Sequence, residues 1–261
     1  MSALGRKEGL ARYYSLSGKR VFVTGGGSGI GEAIVGAFAE QGAKVAFVDI
    51  AVDASLALCE RLALEGAEKP VFRQCDIRDI PALQDTIRTL AENMGDFDVL
   101  VNNAGNDQRH SPEDVTPEFW NNCIAINQRP MFFTAQAVVD GMKRQGGGAI
   151  INLGSISWHL GNGGYSVYTT TKAAVSGLTR GLARDLGPFN IRVNTVTPGW
   201  VMTERQVNLW LDEEGEKLID RSQCLKHRLM PDHIARMVLF LASDDAAMCT
   251  AQEFIVDGGW A

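Results

Sequence analysis

The sequence predicts an α/β fold: one domain built on a parallel sheet of seven strands, with helices wound over both faces. Three observations carry that prediction. Short apolar, β-branched runs alternate with longer runs of helical period. A glycine-rich turn joins the first strand-like run to the first helix-like run. No composition shift, repeat or low-complexity linker divides the 261 residues. Strands separated by helices of such length form βαβ units with right-handed crossovers, so the sheet is parallel. At 45% hydrophobic, a chain this long buries a sizeable core without splitting.

Taken in order, residues 1–18 are polar and read as a loose arm ahead of a domain at 19–261. Strands are expected at 20–24, 44–48, 71–75, 97–101, 149–153, 191–195 and 253–256, where the residues are apolar, aromatic or β-branched. Helices are expected from the end of the glycine turn at Gly31 to Gln41, from about 53 to 64 and from about 81 to 94. Thr116 before Pro117 reads as an N-cap with proline at the first helical position, opening a helix that runs toward Lys143. Pro130 lies inside that helix and cannot donate to the carbonyl of Ile126, so a kink falls beside Asn127. A further helix runs from 168 to 186 and stops at Gly187-Pro188, and Pro231 opens another to about 243. Residues 204–230 are charged and weakly periodic, and read as short helices forming a lid over the carboxyl edge of the sheet.

Composition narrows the partners. A net charge of −6 gives no footprint for nucleic acid or an acidic membrane, and no apolar run reaches spanning length. Five widely spaced cysteines (59, 75, 123, 224 and 249) without Cys-x-x-Cys read as reduced, mostly buried thiols of a cytoplasmic protein. The four histidines lack ligand spacing, so no metal is expected.

Two stretches carry chemistry. In the first, Gly25, Ser28, Gly29, Ile30 and Gly31 form a turn between strand and helix, where converging N–H groups and the helix dipole suit a phosphate. Twenty residues beyond Gly29, Asp49 ends the second strand, where a carboxylate accepts both ribose hydroxyls and repels a 2′-phosphate. Ile50, Gly27 and Ser28 offer no cation, so NAD is favoured over NADP. In the second stretch, Tyr168 and Lys172 are one helical turn apart and Ser155 ends the fifth strand. Making a phenol a base near neutrality takes about 3 pK units, or roughly 4 kcal/mol. An adjacent ammonium and a hydroxyl donor both favour phenolate.

These motifs together resemble the short-chain dehydrogenase/reductase family over the chain after residue 18. The matching residues are Thr24-Gly-Gly-Gly-Ser-Gly-Ile-Gly31, Asn102-Asn-Ala-Gly105, Ser155 with Tyr168-Thr-Thr-Thr-Lys172, Pro198-Gly199 with Thr203, and Val256-Asp-Gly-Gly259. The resemblance implies a Rossmann-type fold with strand order 3-2-1-4-5-6-7. It makes Tyr168 the base, Lys172 the holder of the nicotinamide ribose, Ser155 the clamp on the substrate oxygen and Asn127 the anchor of a relay water. Asp49, Asp76 and Ile77 would hold the adenosine end, with Asn103 and Gly105 along the cofactor. Pro198, Gly199, Val201 and Thr203 would flank the nicotinamide. A homotetramer is implied as well.

Within the family, residues 102–110 and 154–161 look like the branch that oxidises aldoses at C1, such as arabinose and xylose dehydrogenases. The expected rim is mostly polar, which suits a sugar and not a fatty-acyl or steroid ketone. Asp107, Arg109 and Gln206 are expected on substrate hydroxyls, with His159 beside Trp158 on the rim and Trp200 shaping the far end. Ser155 and Tyr168 would hold the reacting oxygen. L-Arabinose is placed ahead of D-xylose on resemblance alone. The alternatives are a 3-oxoacyl carrier-protein reductase, against which Asp49 and the acidic charge speak, and a catalytically silent NAD-binding regulator.

Overall fold

The computed structural model describes residues 11–261. Seven strands, β1 (Arg20–Thr24), β2 (Lys44–Asp49), β3 (Val71–Gln74), β4 (Val99–Asn102), β5 (Gly148–Leu153), β6 (Ile191–Pro198) and β7 (Glu253–Val256), form one sheet. Its order is β3-β2-β1-β4-β5-β6-β7, with every neighbouring pair parallel, as expected. The helices are α1 (Gly29–Glu40), α2 (Val52–Leu64), α3 (Ile80–Met94), α4 (Pro117–Asn127), α5 (Arg129–Gln145), α6 (Ser157–Leu160), α7 (Ser166–Leu186), α8 (Glu204–Trp210), α9 (Glu213–Ser222) and α10 (Pro231–Ala242).

Both faces of the sheet are covered because its strands are apolar on both. Val21 and Val23 enter a core shared with Ile34 and Phe38 of α1, Leu62 of α2 and Val238 of α10. Phe22 between them points the other way, into a core with Leu83 and Ile87 of α3, Val138 of α5 and Ala183 of α7. No helix among the described residues is long and apolar enough to cross a membrane.

Three expectations change. The part of the arm from residue 11 on is tied down, while residues 1–10 lie outside the described residues. Tyr13 N donates to Gln41 Oε1 at 2.8 Å, Gly18 N donates to Gly42 O at 2.8 Å, and Leu16 is fully buried. The single bent helix expected from Pro117 breaks into α4 and α5 at Gln128, whose φ of −130° and ψ of −60° depart from helix, two residues before Pro130. Strand β6 runs three residues further than expected, through Pro198, because β7 continues to pair with it there. A proline at a strand's last residue forfeits little ladder bonding.

Beneath the sheet's carboxyl edge runs a chain of buried polar side chains. Thr134 Oγ1 donates to Asn102 Oδ1 (2.6 Å), Asn102 Nδ2 to Asn152 Oδ1 (2.9 Å) and Asn152 Nδ2 to Thr179 Oγ1 (2.9 Å), which lies 2.8 Å from Thr195 Oγ1. All five residues are at most 1% exposed. The chain pins α5 and α7 to β4, β5 and β6. Substituting Asn152→Ala would remove two buried hydrogen bonds, although Thr179 keeps Thr195 and Asn102 keeps Met131 O at 3.3 Å, and urea unfolding should show a loss of about 2 to 3 kcal/mol. A loss below about 1 kcal/mol would mean that water or repacking replaces the bonds.

Candidate active site

The chain reverses direction across the sheet between β1 and β4, which opens a crevice at their carboxyl ends. A cleft of about 2080 Å³ lies there. Gly25, Ser28, Gly29, Ile30 and Gly31 form its first wall, at the amino end of α1. Gly25 and Gly29 have φ of 68° and 56°, and a Cβ on Gly31 would lie 1.8 Å from the carbonyl oxygen of Gly25. Only glycine fits such a turn.

Asp49 continues the wall. Its Oδ2 accepts from Gly27 N at 2.8 Å and its Oδ1 from Ala51 N at 2.9 Å, which fixes the half-buried carboxylate at the end of β2. Asp76 and Ile77 follow. The Arg78 guanidinium, 2.6 Å away, holds the Asp76 carboxyl below its usual range against the opposing effect of burial. Asn103 and Gly105 line the middle, although Asn103 Nδ2 is spent on Gly25 O (2.7 Å) and so braces the glycine turn. Pro198, Gly199, Val201 and Thr203 close the far side, and Thr203 packs against Gly29. A glycine cradle at a helix terminus, a fixed carboxylate beyond it and no lysine or arginine in the turn fit an adenine dinucleotide without a 2′-phosphate.

Helix α7 brings Tyr168 and Lys172 to the cleft, and the turn after β5 brings Ser155, whose hydroxyl favours the ionised form of the Tyr168 phenol. Lys172 is 3% exposed; its Nζ donates to Leu153 O at 2.8 Å and lies 5.7 Å from the Tyr168 ring centroid. Burial lowers the Lys172 pKa to about 8. Burial likewise pushes the Tyr168 phenol above its ordinary value, with the Ser155 hydrogen bond pulling the other way and Asp107 adding to the rise. These surroundings on their own favour the protonated phenol. Asn127 is 1% exposed and its amide is fully engaged: Oδ1 accepts from Asn106 N (2.7 Å), and Nδ2 donates to Asn106 O (3.0 Å) and Cys123 O (3.2 Å). The side chain grips the loop after β4 and leaves only backbone for a water.

Asp107, Arg109, Trp200 and Gln206 line the cleft as expected of the rim. Three of them are occupied with lid and loop contacts. Gln206 Nε2 donates to Asp107 Oδ2 at 2.7 Å, and Arg205 reaches Asp107 Oδ1 (3.4 Å) and Asn106 Oδ1 (3.0 Å). The Arg109 guanidinium stands between the rings of Tyr165 (4.7 Å) and Trp210 (5.0 Å). Helix α8 is thus latched to the loop at both its ends. Trp200 leans on α9, where a Cβ on Gly215 would come within 3.0 Å of its ring.

His159 is a correction: it does not line the cleft, and its Nε2 lies 3.0 Å from Glu253 Oε1 at the start of β7. Sequence reasoning missed Arg205 and Tyr165, whose partners lie elsewhere in the chain, and Ser157, a cleft residue whose hydroxyl is buried without a partner. For Ser157 a signal existed, two residues beyond Ser155 on the same turn. Among the described residues no group of three His, Cys, Asp or Glu is placed to hold a metal ion.

A dinucleotide crevice ending on a serine, a tyrosine and a buried lysine defines an oxidoreductase. The chain belongs to the short-chain dehydrogenase/reductase family; the family model described as enoyl-(acyl carrier protein) reductase matches residues 25–261. It is 52% identical to a D-xylose 1-dehydrogenase of Caulobacter vibrioides over 96% of this chain and 98% of that one. It is 48% identical to the "Probable galactose dehydrogenase GalD" of Rhizobium meliloti over 95% and 97%. Among solved structures, a 7α-hydroxysteroid dehydrogenase complexed with NADH and 7-oxo glycochenodeoxycholic acid matches with a TM-score of 0.90 at 31% identity, covering 95% of this chain and 96% of that one.

The buried ammonium yields a test. A lysine whose pKa falls from 10.5 to about 8 on folding destabilises the fold below pH 8, since the unfolded chain binds its proton more tightly. Replacing Lys172 with Met should raise stability at pH 7 by on the order of 3 kcal/mol while turnover collapses. That gain should fade between about pH 8 and 10.5, because the native lysine is neutral by then. Thermal unfolding at pH 7 and pH 10 reads both; an equal shift at the two pH values would contradict the assignment.

Proposed function

We propose that this protein oxidises a cyclic aldose at C1 to the aldonolactone with NAD as hydride acceptor. The observation that carries the reading is the juxtaposition of a Ser155–Tyr168–Lys172 cluster with a rim of Asp107, Asn106, Arg205 and Gln206, whose polar groups bond to one another across the cleft mouth. A polyol can replace those bonds one for one, whereas an aliphatic or steroid substrate would leave them unpaired at about 1 to 3 kcal/mol each. The relatives named for D-xylose and galactose support the same substrate class.

In this reading Tyr168 takes the proton of the C1 hydroxyl and Ser155 orients that oxygen. Lys172, held on Leu153 O, would hold the nicotinamide ribose, and its ammonium form would favour the phenolate. A bound oxidised nicotinamide supplies the hydride acceptor and a further positive charge beside the phenol. Asn127 fixes the Asn106 loop, and the backbone freed by Pro130 offers the acceptor for a relay water. Asp49 selects against the 2′-phosphate. Asp49→Ala should therefore admit NADP, with kcat/KM for NADP rising at least tenfold relative to that for NAD; unchanged exclusion of NADP would remove Asp49 from the ribose contact.

L-Arabinose and D-xylose differ only at C4, and L-arabinose shares the C2–C4 configuration of D-galactose. The 52% identical relative named for D-xylose supports the xylose reading, and the 48% identical one named for galactose supports arabinose. Initial rates with L-arabinose, D-galactose, D-xylose and D-glucose, each with NAD and NADP, separate C4 configuration from tolerance of C6. Preference for the first two sugars identifies an arabinose-type enzyme, and for the last two a xylose-type enzyme. Failure to oxidise any of the four would overturn the proposal. A homotetramer is supported by exposed Trp120 on α4, Phe132 on α5 and Ile255 on β7, and sedimentation tests it.

A further inference from the structure

Outside the cleft, Glu253 gathers bonds from three elements. Its Oε1 accepts from Thr197 Oγ1 at 2.6 Å and lies 3.0 Å from His159 Nε2, and its Oε2 accepts from Ser176 Oγ at 3.1 Å. Burial alone would raise its pKa, but the donors of Thr197, His159 and Ser176 hold it below the usual carboxylate range. The two titratable partners are modestly open, with side chains 24% exposed at His159 and 20% at Glu253.

Each donor sits beside part of the reaction machinery. His159 lies in α6, the turn that follows Ser155, where Ser157 N donates to Ser155 Oγ at 3.2 Å. Ser176 lies on α7 one turn beyond Lys172. Thr197 is fully buried in β6 immediately before Pro198, and its hydroxyl would be 2.6 Å from a Cβ on Gly154, the residue before Ser155. One carboxylate on β7 thus ties the serine turn, the tyrosine helix and the strand leading to Val201 and Thr203.

We propose that Glu253 is a positioning residue that sets the distance between Ser155 and Tyr168 from behind, acting through His159 and Thr197 on the serine side and Ser176 on the tyrosine helix. Neither Glu253 nor His159 lines the cleft, so neither touches substrate or cofactor. A displacement of about 1 Å in a reacting pair costs on the order of 100-fold in rate, which makes a rigid hub behind the pair worth keeping.

The test compares Glu253→Ala, Glu253→Gln and His159→Ala with the parent, using the sugar the parent oxidises best, or whichever alcohol it oxidises if it takes no sugar. The inference rests only on the serine and tyrosine chemistry, so a failed sugar reading leaves this test intact. Glu253→Ala should lower kcat by roughly 10- to 100-fold with the Kd for NAD held within about twofold of the parent. Glu253→Gln, whose amide oxygen still accepts from Thr197 and His159, should recover most of that loss. His159→Ala should lower kcat by a smaller factor, about 3- to 10-fold. The proposal is overturned if the two alanine variants stay within about twofold of the parent, or if Glu253→Gln falls as far as Glu253→Ala. It is also overturned if lost turnover follows lost NAD affinity. Should Glu253→Ala not fold, His159→Ala and Glu253→Gln decide by the same criteria.

Discussion

An ammonium group 3% exposed is the constraint that the rest of this structure accommodates. Lys172 occupies its site because Leu153 O, at the last residue of β5, accepts its proton, and because Gly105 opposite has no side chain; a Cβ there would lie 3.5 Å from Nζ and 3.1 Å from Asn127 Oδ1. Both conditions come from the parallel sheet. Adjacent strands β4 and β5 end side by side, so a glycine following one and a carbonyl ending the other face the same helix. The polar chain from Thr134 to Thr195 lies just beneath, holding the helix that carries the lysine. The site is costly to the fold, and the fold is stiff where that cost is borne.

Tyr168 shows why such a site needs a guest. Burial works against both charged forms, lowering the lysine and raising the phenol. An adjacent ammonium and a hydroxyl donor favour phenolate, but desolvation of the ring is the largest influence on it here. A positive charge bound beside the phenol would shift it back toward ionisation.

The sequence was legible where a physical rule is local. Buried parallel strands read as apolar runs, glycines with positive φ mark the phosphate turn, and Tyr168 and Lys172 lie one turn apart on one helix. Pro130 announces a disturbance, but nothing local says that the helix breaks at Gln128 or that Asn127 turns to the Asn106 backbone 21 residues away. His159 went astray for the same reason. A histidine after a tryptophan near the reactive serine looks like a rim residue until its partner, 94 residues on, is placed beside it. Likewise Asp107 and Gln206 were each read as reaching for a sugar, and nothing local said that they reach for each other.

That mutual bond bears on how the cleft chooses its guest. The lid helix is fastened by Gln206 and Arg205 on an aspartate and an asparagine at one end and by Trp210 stacked on Arg109 at the other. The polar fastening can be exchanged for substrate hydroxyls at little net cost, since each broken pair finds a new partner. The stacked fastening offers no such exchange to a polyol and would remain. The two ends of α8 therefore differ in kind: one is held by polar bonds that hydroxyl groups can replace, the other by an aromatic contact that they cannot.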